Sequence, residues 1–383
     1  MNARPERPLP DTEELRRLAE WAPPLGVLSV AVSADPGDRS EGWRAQLKDD
    51  VRAAVGPHES GEHERKIALR ATAERLLARF AEDVPPPART VVGFVEVARE
   101  DGAERWYRAE VPMEGFPAAY APRPRLAALV ELVDVARPRG IVVLSSERIR
   151  LLELVAGRSD EVRDFELAIY DGRERKAQSP PDPARGHATS SSGRDQYGQR
   201  LDANRDRWLG EVASEVAGWA HEDGRGEILV LGETHISKRF VHELGNGLEP
   251  AVVAEIDAIS QPAHKIAERV IAALPDLDRA RQLALVQHVT DAARAGGRGA
   301  LGFQETAQAL AEGRVDRLLI DPERRFEPDP ELAAAIGVEA DGWDPEQWLI
   351  ATAITTSATV TPVRDEARER LEEDDGVGAI LRY

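Results

Sequence analysis

A polar stretch in the middle of the chain, residues 184–200, limits what this part of the sequence can fold into. It reads Ala-Arg-Gly-His-Ala-Thr-Ser-Ser-Ser-Gly-Arg-Asp-Gln-Tyr-Gly-Gln-Arg. Up to Gln196 it holds small, polar and charged residues, which cannot bury a core. An apolar periodicity typical of a helix follows around Trp208 to Trp219. The pattern predicts a loop over residues 179–200 that leads into an arginine-rich helix, and such long loops are either functional or disordered.

Length and composition narrow the class of protein. A chain of 383 residues is long enough for two or three domains that each bury a core. There is no Cys, which excludes disulfides, thiolate metal sites and a cysteine nucleophile. No apolar run approaches the roughly 18 residues that a membrane helix needs. We therefore expect a cytoplasmic protein that has no membrane partner.

Charge is distributed unevenly along the chain. The net charge is -19, which by itself argues against binding to nucleic acid. Residues 173–207, however, contain eight basic and five acidic residues. A local basic stripe fits a factor that contacts RNA at one place, whereas the alternative is a solvated helix face held by i,i+4 ion pairs. The candidate RNA-binding residues are Arg185, Arg194, Arg200, Arg205 and Arg207.

The alternation of strand and helix patterns predicts three α/β domains. Residues 1–136 form the first domain. Residues 137–224 form a middle domain, a small sheet with a protruding loop and a long helix. Residues 225–383 alternate strands with helices, which is typical of a three-layer α/β/α domain.

Conventional catalytic motifs are absent from the sequence. There is no phosphate-binding Gly-x-x-x-x-Gly-Lys-Ser/Thr, no Gly-x-Ser-x-Gly and no His-Glu-x-x-His. His235 and His242 have no evident third ligand, so we expect neither a metal nor a cofactor. The amide of Gln196 cannot act as an acid or base, but it can orient a water molecule or hold an RNA end. The alternative is an exposed loop glutamine without a role.

Residues 140–220 resemble the middle domain of the archaeo-eukaryotic class-1 peptide release factors. In that family, strands lead into a Gly-Gly-Gln loop that a long basic helix follows. Gly193-Arg-Asp-Gln196 stands at the corresponding place here, with Gln199 as an alternative glutamine. The resemblance implies that Gly193 and Gln196, or Gln199, take the catalytic positions.

The end of the chain resembles the C-terminal domain that these factors share with Pelota. The residues that carry this resemblance are Glu305 to Gly313 running into Arg314 to Ile320, and the closing Gly376 to Tyr383. The closing residues are similar to the bacterial branch of the family, which includes Balon-type ribosome-hibernation factors. The resemblance thus covers roughly residues 137–383.

The resemblance implies a protein that binds the ribosome, through rRNA and peptidyl-tRNA, and that has a translational GTPase as a partner and no DNA. Two departures bear on activity: the Gly-Gly-Gln is not intact, and residues 1–136 hold no stop-codon-reading motif. Our leading hypothesis is therefore occupancy of the ribosomal A site in hibernation or stalled-ribosome handling. The alternatives are a peptidyl-tRNA hydrolase that acts through Gln196, and an interaction protein that has the fold but no RNA binding.

Overall fold

The described residues form three β-sheets with helices packed around them, which confirms the predicted α/β class. The structure is a computed structural model that describes residues 9–34, 42–58, 63–82, 88–113, 115–167, 190–222, 226–245, 248–254, 258–338 and 344–383. Its contacts define two compact units. We call Met1–Arg137 together with Leu274–Tyr383 the terminal unit, and Pro138–Ala273 the middle unit.

The first sheet of the terminal unit is antiparallel and has the strand order β3-β2-β1-β4. The elements are α1 (Thr12–Glu20), β1 (Val27–Ser33), α2 (Gly42–Val55), α3 (His63–Glu82), β2 (Thr90–Glu96), β3 (Glu104–Ala109), β4 (Ala119–Ala121) and α4 (Ala127–Val135). Apolar residues recur every three to four positions in α2 and α3, and these faces form one core with alternate residues of β1.

The second sheet of the terminal unit has the strand order β10-β13-β11-β12. The elements are α7 (Ala263–Arg294), of which the residues from Leu274 on belong to this unit, β10 (Gly299–Leu301), α8 (Gly302–Ala311), β11 (Val315–Ile320), α9 (Pro330–Ile336), α10 (Pro345–Thr355), β12 (Thr359–Pro362), α11 (Asp365–Glu372) and β13 (Val377–Leu381). Strands β11 and β12 are parallel, whereas β13 runs antiparallel to β11. Leu319 packs against α7 and α11, and its neighbours Leu318 and Ile320 are fully buried on the opposite face. Helices therefore cover both faces, as in the predicted three-layer arrangement.

Buried ion pairs join the two sequence segments of the terminal unit through α4. Glu131 of α4 accepts a hydrogen bond from Arg364 with an N–O distance of 2.7 Å. One turn later, Asp134 accepts from Arg281 at 2.5 Å. Both carboxylates are less than 10% exposed, at 8% and 9%. Because a buried carboxylate is costly unless it is paired, these contacts specify how α4 packs against the segment after residue 274.

The middle unit contains one five-stranded sheet with the order β7-β6-β5-β8-β9. Its elements are β5 (Arg139–Leu144), β6 (Arg148–Val155), β7 (Arg158–Glu166), α5 (Ser190–Glu222), β8 (Glu227–Gly232), α6 (Thr234–Leu244) and β9 (Glu249–Ala254). Strands β5 to β7 form an antiparallel meander, and β8 and β9 add parallel to β5. Helix α5 provides the long crossover that a parallel partner for β5 requires.

The structure groups the strands differently from the sequence-based division into three domains. A boundary between residues 224 and 225 would fall inside the middle sheet, because residues 228–232 of β8 pair with residues 140–144 of β5. Residues 1–137 and 274–383 likewise lie in a single compact unit. The sequence pattern alone places strands and helices but not their long-range pairing, and the predicted boundary therefore puts β8 and β9 in the third domain rather than in the middle one.

We predict that Glu131→Gln weakens the terminal unit by about 3 kcal/mol, because it leaves the guanidinium of Arg364 without its closest buried carboxylate. Hydrogen exchange of α4 amides under increasing urea measures this loss. Asp49→Asn is the matched control, since its ion pair with Arg52 is largely exposed and should contribute less than about 0.5 kcal/mol. Equal effects of the two substitutions would contradict this account.

Candidate functional site

The predicted catalytic residues lie at the start of a helix rather than at the tip of a loop. Helix α5 begins at Ser190, so Gly193, Gln196 and Gln199 belong to its first turns. The predicted loop over residues 179–200 is therefore corrected for residues 190–200, and residues 179–189 lie outside the described part of the chain. Ser is a favoured residue at helix starts, and a single Gly in a helix costs only about 1 kcal/mol.

The structure describes some of the five candidate RNA-binding arginines more fully than others. Arg194 and Arg200 lie in the helical backbone of α5, and their side chains are outside the described atoms. Arg185 lies outside the described residues. Arg205 is half-buried, and its Nη2 lies 3.4 Å from Oε1 of Glu147. Arg207 is exposed to solvent.

A cleft of about 350 Å³ lies beside Arg205, where α5 packs along α6. Trp208 and Leu209 of α5 and Ile236 of α6 provide its apolar wall. The polar residues that line it are Ser145, Ser146, Arg205, Asp206, His235 and Arg239. The cleft thus combines an aromatic ring, hydroxyl groups and two guanidinium groups.

The strand order explains why a cleft forms at this edge of the sheet. Strands β5 and β8 are parallel neighbours, but β5 continues into β6 on one side and β8 continues through α6 into β9 on the other. In open α/β sheets, ligands bind at the carboxyl ends of strands where the connections diverge in this way. Ser145 directly follows β5, and α6 begins two residues after β8.

Gly232 permits the close approach of the two strand ends. Its φ is +150°, and a Cβ added there would lie 2.6 Å from the carbonyl oxygen of Leu144. Leu144 is its direct partner in the β5–β8 register. No residue with a side chain fits this position without displacing backbone, so the geometry of the cleft depends on glycine.

The turn that carries Ser145 and Ser146 is held by hydrogen bonds. The Ser145 hydroxyl donates to the carbonyl oxygen of Arg148 at 3.0 Å and accepts from the Arg148 amide at 3.0 Å. The guanidinium of Arg148 also donates to Asp164 of β7, and this hydrogen bond lowers the pKa of the Asp164 carboxyl below its usual range. The turn is therefore anchored to both β6 and β7.

Acidic side chains moderate the positive charge of the cleft. Arg239 lies 3.5 Å from Asp206 and 3.2 Å from Glu243, measured between guanidinium nitrogen and carboxylate oxygen. His235 lies 3.5 Å from Glu233. The Arg239 side chain is 47% exposed, so these pairs are solvent-screened and weak. Such contacts orient the arginine but leave it able to exchange partners.

The described ranges contain neither a candidate metal site nor a helix suited to cross a membrane. No group of three or more His, Cys, Asp or Glu side chains is arranged there to hold a metal ion. No helix in the same ranges is both long and apolar enough to cross a membrane.

Residues 138–272 match the family model described as bacterial archaeo-eukaryotic release factor family 5. The match covers this stretch alone, about a third of the chain. Its bounds agree to within one residue with the middle unit, Pro138–Ala273. The matched sequence is therefore one compact unit of the protein, and the resemblance found in the sequence is confirmed there.

Solved structures of similar proteins match with low TM-scores. An archaeal translation termination factor, aRF1, is 19% identical, with 99% of this chain and 100% of that chain covered and a TM-score of 0.26. Archaeoglobus fulgidus Pelota is 12% identical, with 100% and 97% covered and a TM-score of 0.34. Dom34 of S. cerevisiae is 10% identical, with 77% and 79% covered and a TM-score of 0.38. No curated protein matches the sequence. At such TM-scores these likenesses bear on neither activity nor partners.

The C-terminal motifs of the resemblance lie outside the family match and have a structural role. Glu305 to Gly313 covers most of α8 and its end, where Gly313 has a φ of +68°, and Val315–Ile320 is β11. Within the closing segment, Val377–Leu381 forms β13. The relationship of this segment to Pelota stays a prediction.

Sequence reasoning missed the cleft residues Ser145, Ser146, Trp208 and Arg239. The available signal was that one strand ends in Ser-Ser and another ends just before a helix with basic residues. The two ends point to one site only if β5 and β8 are neighbours in one sheet. That pairing was not predicted.

We predict that Gly193→Ala slows amide exchange over residues 193–200 roughly fourfold, because Ala stabilises a helical position by about 0.8 kcal/mol relative to Gly. Hydrogen-exchange mass spectrometry of the whole chain measures this. Gly245→Ala is the control, since Gly245 ends α6 with a φ of +75° and Ala there should speed local exchange. Faster exchange in Gly193→Ala would favour the loop instead.

We predict that Gly232→Ala weakens the pairing of β5 with β8 by about 2 kcal/mol, because its methyl group would meet the carbonyl of Leu144. Amide exchange of residues 140–144 reports the change. Gly226→Ala, just before β8, has open space around the added Cβ and should leave exchange unchanged. An unaffected Gly232→Ala variant would show that the two strand ends are not in close contact.

Proposed function

We propose that this chain is a release-factor-like ribosome-binding protein that occupies the A site in hibernation or stalled-ribosome handling, without codon-dependent chemistry. The observation that supports this most is the agreement between the family match over residues 138–272 and one compact unit. Within this unit, α5 carries both the Gly193–Gln196 segment and the exposed Arg207. Between Ser190 and Arg207 this helix carries four Arg against three Asp, and arginines that follow a release-factor-like segment suit contact with rRNA phosphates.

The backbone of residues 193–196 supports occupancy rather than hydrolysis. Beyond the first turn of a helix, amide groups are engaged in i→i−4 hydrogen bonds and are not free to approach a reacting ester. Arg194 and Asp195 also stand between Gly193 and Gln196, and a carboxylate beside RNA is electrostatically unfavourable. If the protein hydrolysed peptidyl-tRNA through Gln196, this part of the proposal would be wrong.

A translational GTPase or the base of the ribosomal stalk is the second partner in this proposal. Residues 274–383, the C-terminal segment of the terminal unit, carry 22 Asp and Glu against 12 Lys and Arg. So acidic a segment is repelled by RNA, and it would bind protein rather than rRNA. We therefore assign RNA contact to the middle unit and protein contact to the C-terminal segment.

We predict that Arg207→Glu lowers the ribosome-bound fraction roughly fivefold at moderate salt, because it removes one phosphate contact and adds a repulsive charge. Co-sedimentation with ribosomes from growing and starved cells measures the bound fraction. Arg269→Glu is the matched control, since Arg269 is exposed on α7 in the same unit and is not part of the cleft. Absence of the wild type from ribosomes in both growth states would refute the proposal.

Peptide release distinguishes occupancy from catalysis. Purified stalled ribosomes that carry labelled peptidyl-tRNA are incubated with wild type, Gln196→Ala and Gln199→Ala. We expect no release by any of the three proteins. Release by the wild type that is lost in Gln196→Ala would establish the hydrolase instead. If Arg207→Glu left the affinity for ribosomes unchanged, the result would favour an interaction protein without RNA binding.

A further inference from the structure

We propose that the cleft at the carboxyl ends of β5 and β8 binds one nucleotide unit, with its phosphate near Arg205 and Arg239 and its base on the ring of Trp208. The inference deepens the proposed function and rests on it for the source of the nucleotide, an RNA strand. A free mononucleotide has the same chemistry and is distinguished by the experiment below. The site is separate from Gln196.

The dimensions and position of the cleft fit a small ligand. Its volume of about 350 Å³ falls at the lower end of the range for ligand pockets. It lies where the connections from β5 and β8 diverge, the place at which open α/β sheets bind ligands. Gly232 allows the ends of β5 and β8 to lie close together below the cleft. The site is therefore preformed by the sheet and by the hydrogen-bonded turn after β5.

The charged groups favour a monoanionic phosphodiester. Two guanidinium groups, of Arg205 and Arg239, line the cleft together with one carboxylate, of Asp206. A guanidinium presents five N–H donors, so each arginine can keep an acidic neighbour and still donate to a phosphate oxygen. The acidic side chains Glu147 and Glu243 at the edge of the cleft repel multiply charged anions. A triphosphate is thus disfavoured relative to a single phosphate linkage.

The ring of Trp208 provides the contact for the base of the nucleotide. Trp208 is partly exposed on the cleft side, and it packs against the buried core that contains Leu209 and Ile236. An aromatic ring fixed in this way is a surface on which a base of any identity can stack. The hydroxyl of Ser146, which is exposed in the anchored turn after β5, can donate to the phosphate or the ribose.

The cleft lies on the same helix as the release-factor-like segment. Arg205 and Trp208 follow Gln196 by nine and twelve residues, which corresponds to roughly 14 and 18 Å along an α-helix. An RNA strand bound in the cleft would therefore pass within a few nucleotides of the start of α5. The cleft would fix the register of that strand, whether or not chemistry occurs at Gln196.

The test measures binding of fluorescein-labelled heptaadenylate to the full chain by fluorescence anisotropy, without ribosomes. We expect Arg239→Gln to weaken binding roughly fivefold and Trp208→Leu roughly tenfold. Arg269→Gln, an exposed arginine of the same unit outside the cleft, should stay within about twofold of wild type. Circular dichroism confirms that each variant is folded, and Arg239→Gln keeps the test valid if Trp208→Leu unfolds.

Competition identifies the source of the nucleotide. Displacement of the labelled RNA by AMP shows that a single nucleotide is enough for binding. Weaker binding by Arg239→Gln and Trp208→Leu then confirms the contacts at both residues. Displacement by unlabelled RNA alone assigns the cleft to a strand. Displacement by inorganic phosphate as effective as that by AMP would overturn the role of Trp208. Wild-type affinity in both cleft variants, or no binding of either probe at millimolar concentration, would overturn the proposal.

Failure of this inference is distinguishable from failure of the proposed function. A chain that co-sediments with ribosomes but binds neither heptaadenylate nor AMP contradicts the nucleotide cleft alone. A chain that binds both probes through Arg239 and Trp208 but never co-sediments with ribosomes contradicts ribosome occupancy and leaves the cleft in place.

Discussion

The parallel pairing of β5 with β8 is the contact on which the middle unit depends. Arg139, which is 1% exposed, donates from Nε to Glu227 at 2.9 Å at the beginning of the two strands. At the other end, Gly232 allows the chain to lie directly against Leu144. Between these points, Gly140 leaves room for Ile228, since an added Cβ would lie 2.6 Å from its Cδ1. A buried ion pair and two glycines thus fix one register, and a slipped register would separate the charges and create a clash.

This register connects the fold with the candidate site. Because β8 returns beside β5, α5 must cross the sheet and its second half packs against α6. The side chains of Arg205 and Trp208 then lie over the ends of both strands, with Arg239 opposite them. The arginine-rich helix is therefore not a freely exposed stripe. One of its arginines is part of a cleft, and another, Arg207, is exposed to solvent.

Particular residues show how far the sequence could predict the site. The Arg-rich composition and the Gly193–Gln196 segment located the helix that carries the candidate residues, because charge and small residues are visible without a fold. The extent of the loop was overestimated, since Ser190 to Gly193 is compatible with both a turn and a helix start. Ser146 and Arg239 were missed, since they are 93 residues apart in the chain and only the sheet brings them together.

The sequence by itself determined the α/β class, the absence of thiol chemistry and the release-factor-like character of the middle of the chain. Each of these depends on local pattern or on residue type, which do not require knowledge of long-range contacts. Only the tertiary structure decided that β8 and β9 complete the middle sheet, and that α4 packs through Glu131 and Asp134 against residues after 274. These pairings are selected by burial and charge compensation between distant segments, and their energies exist only once the chain has folded.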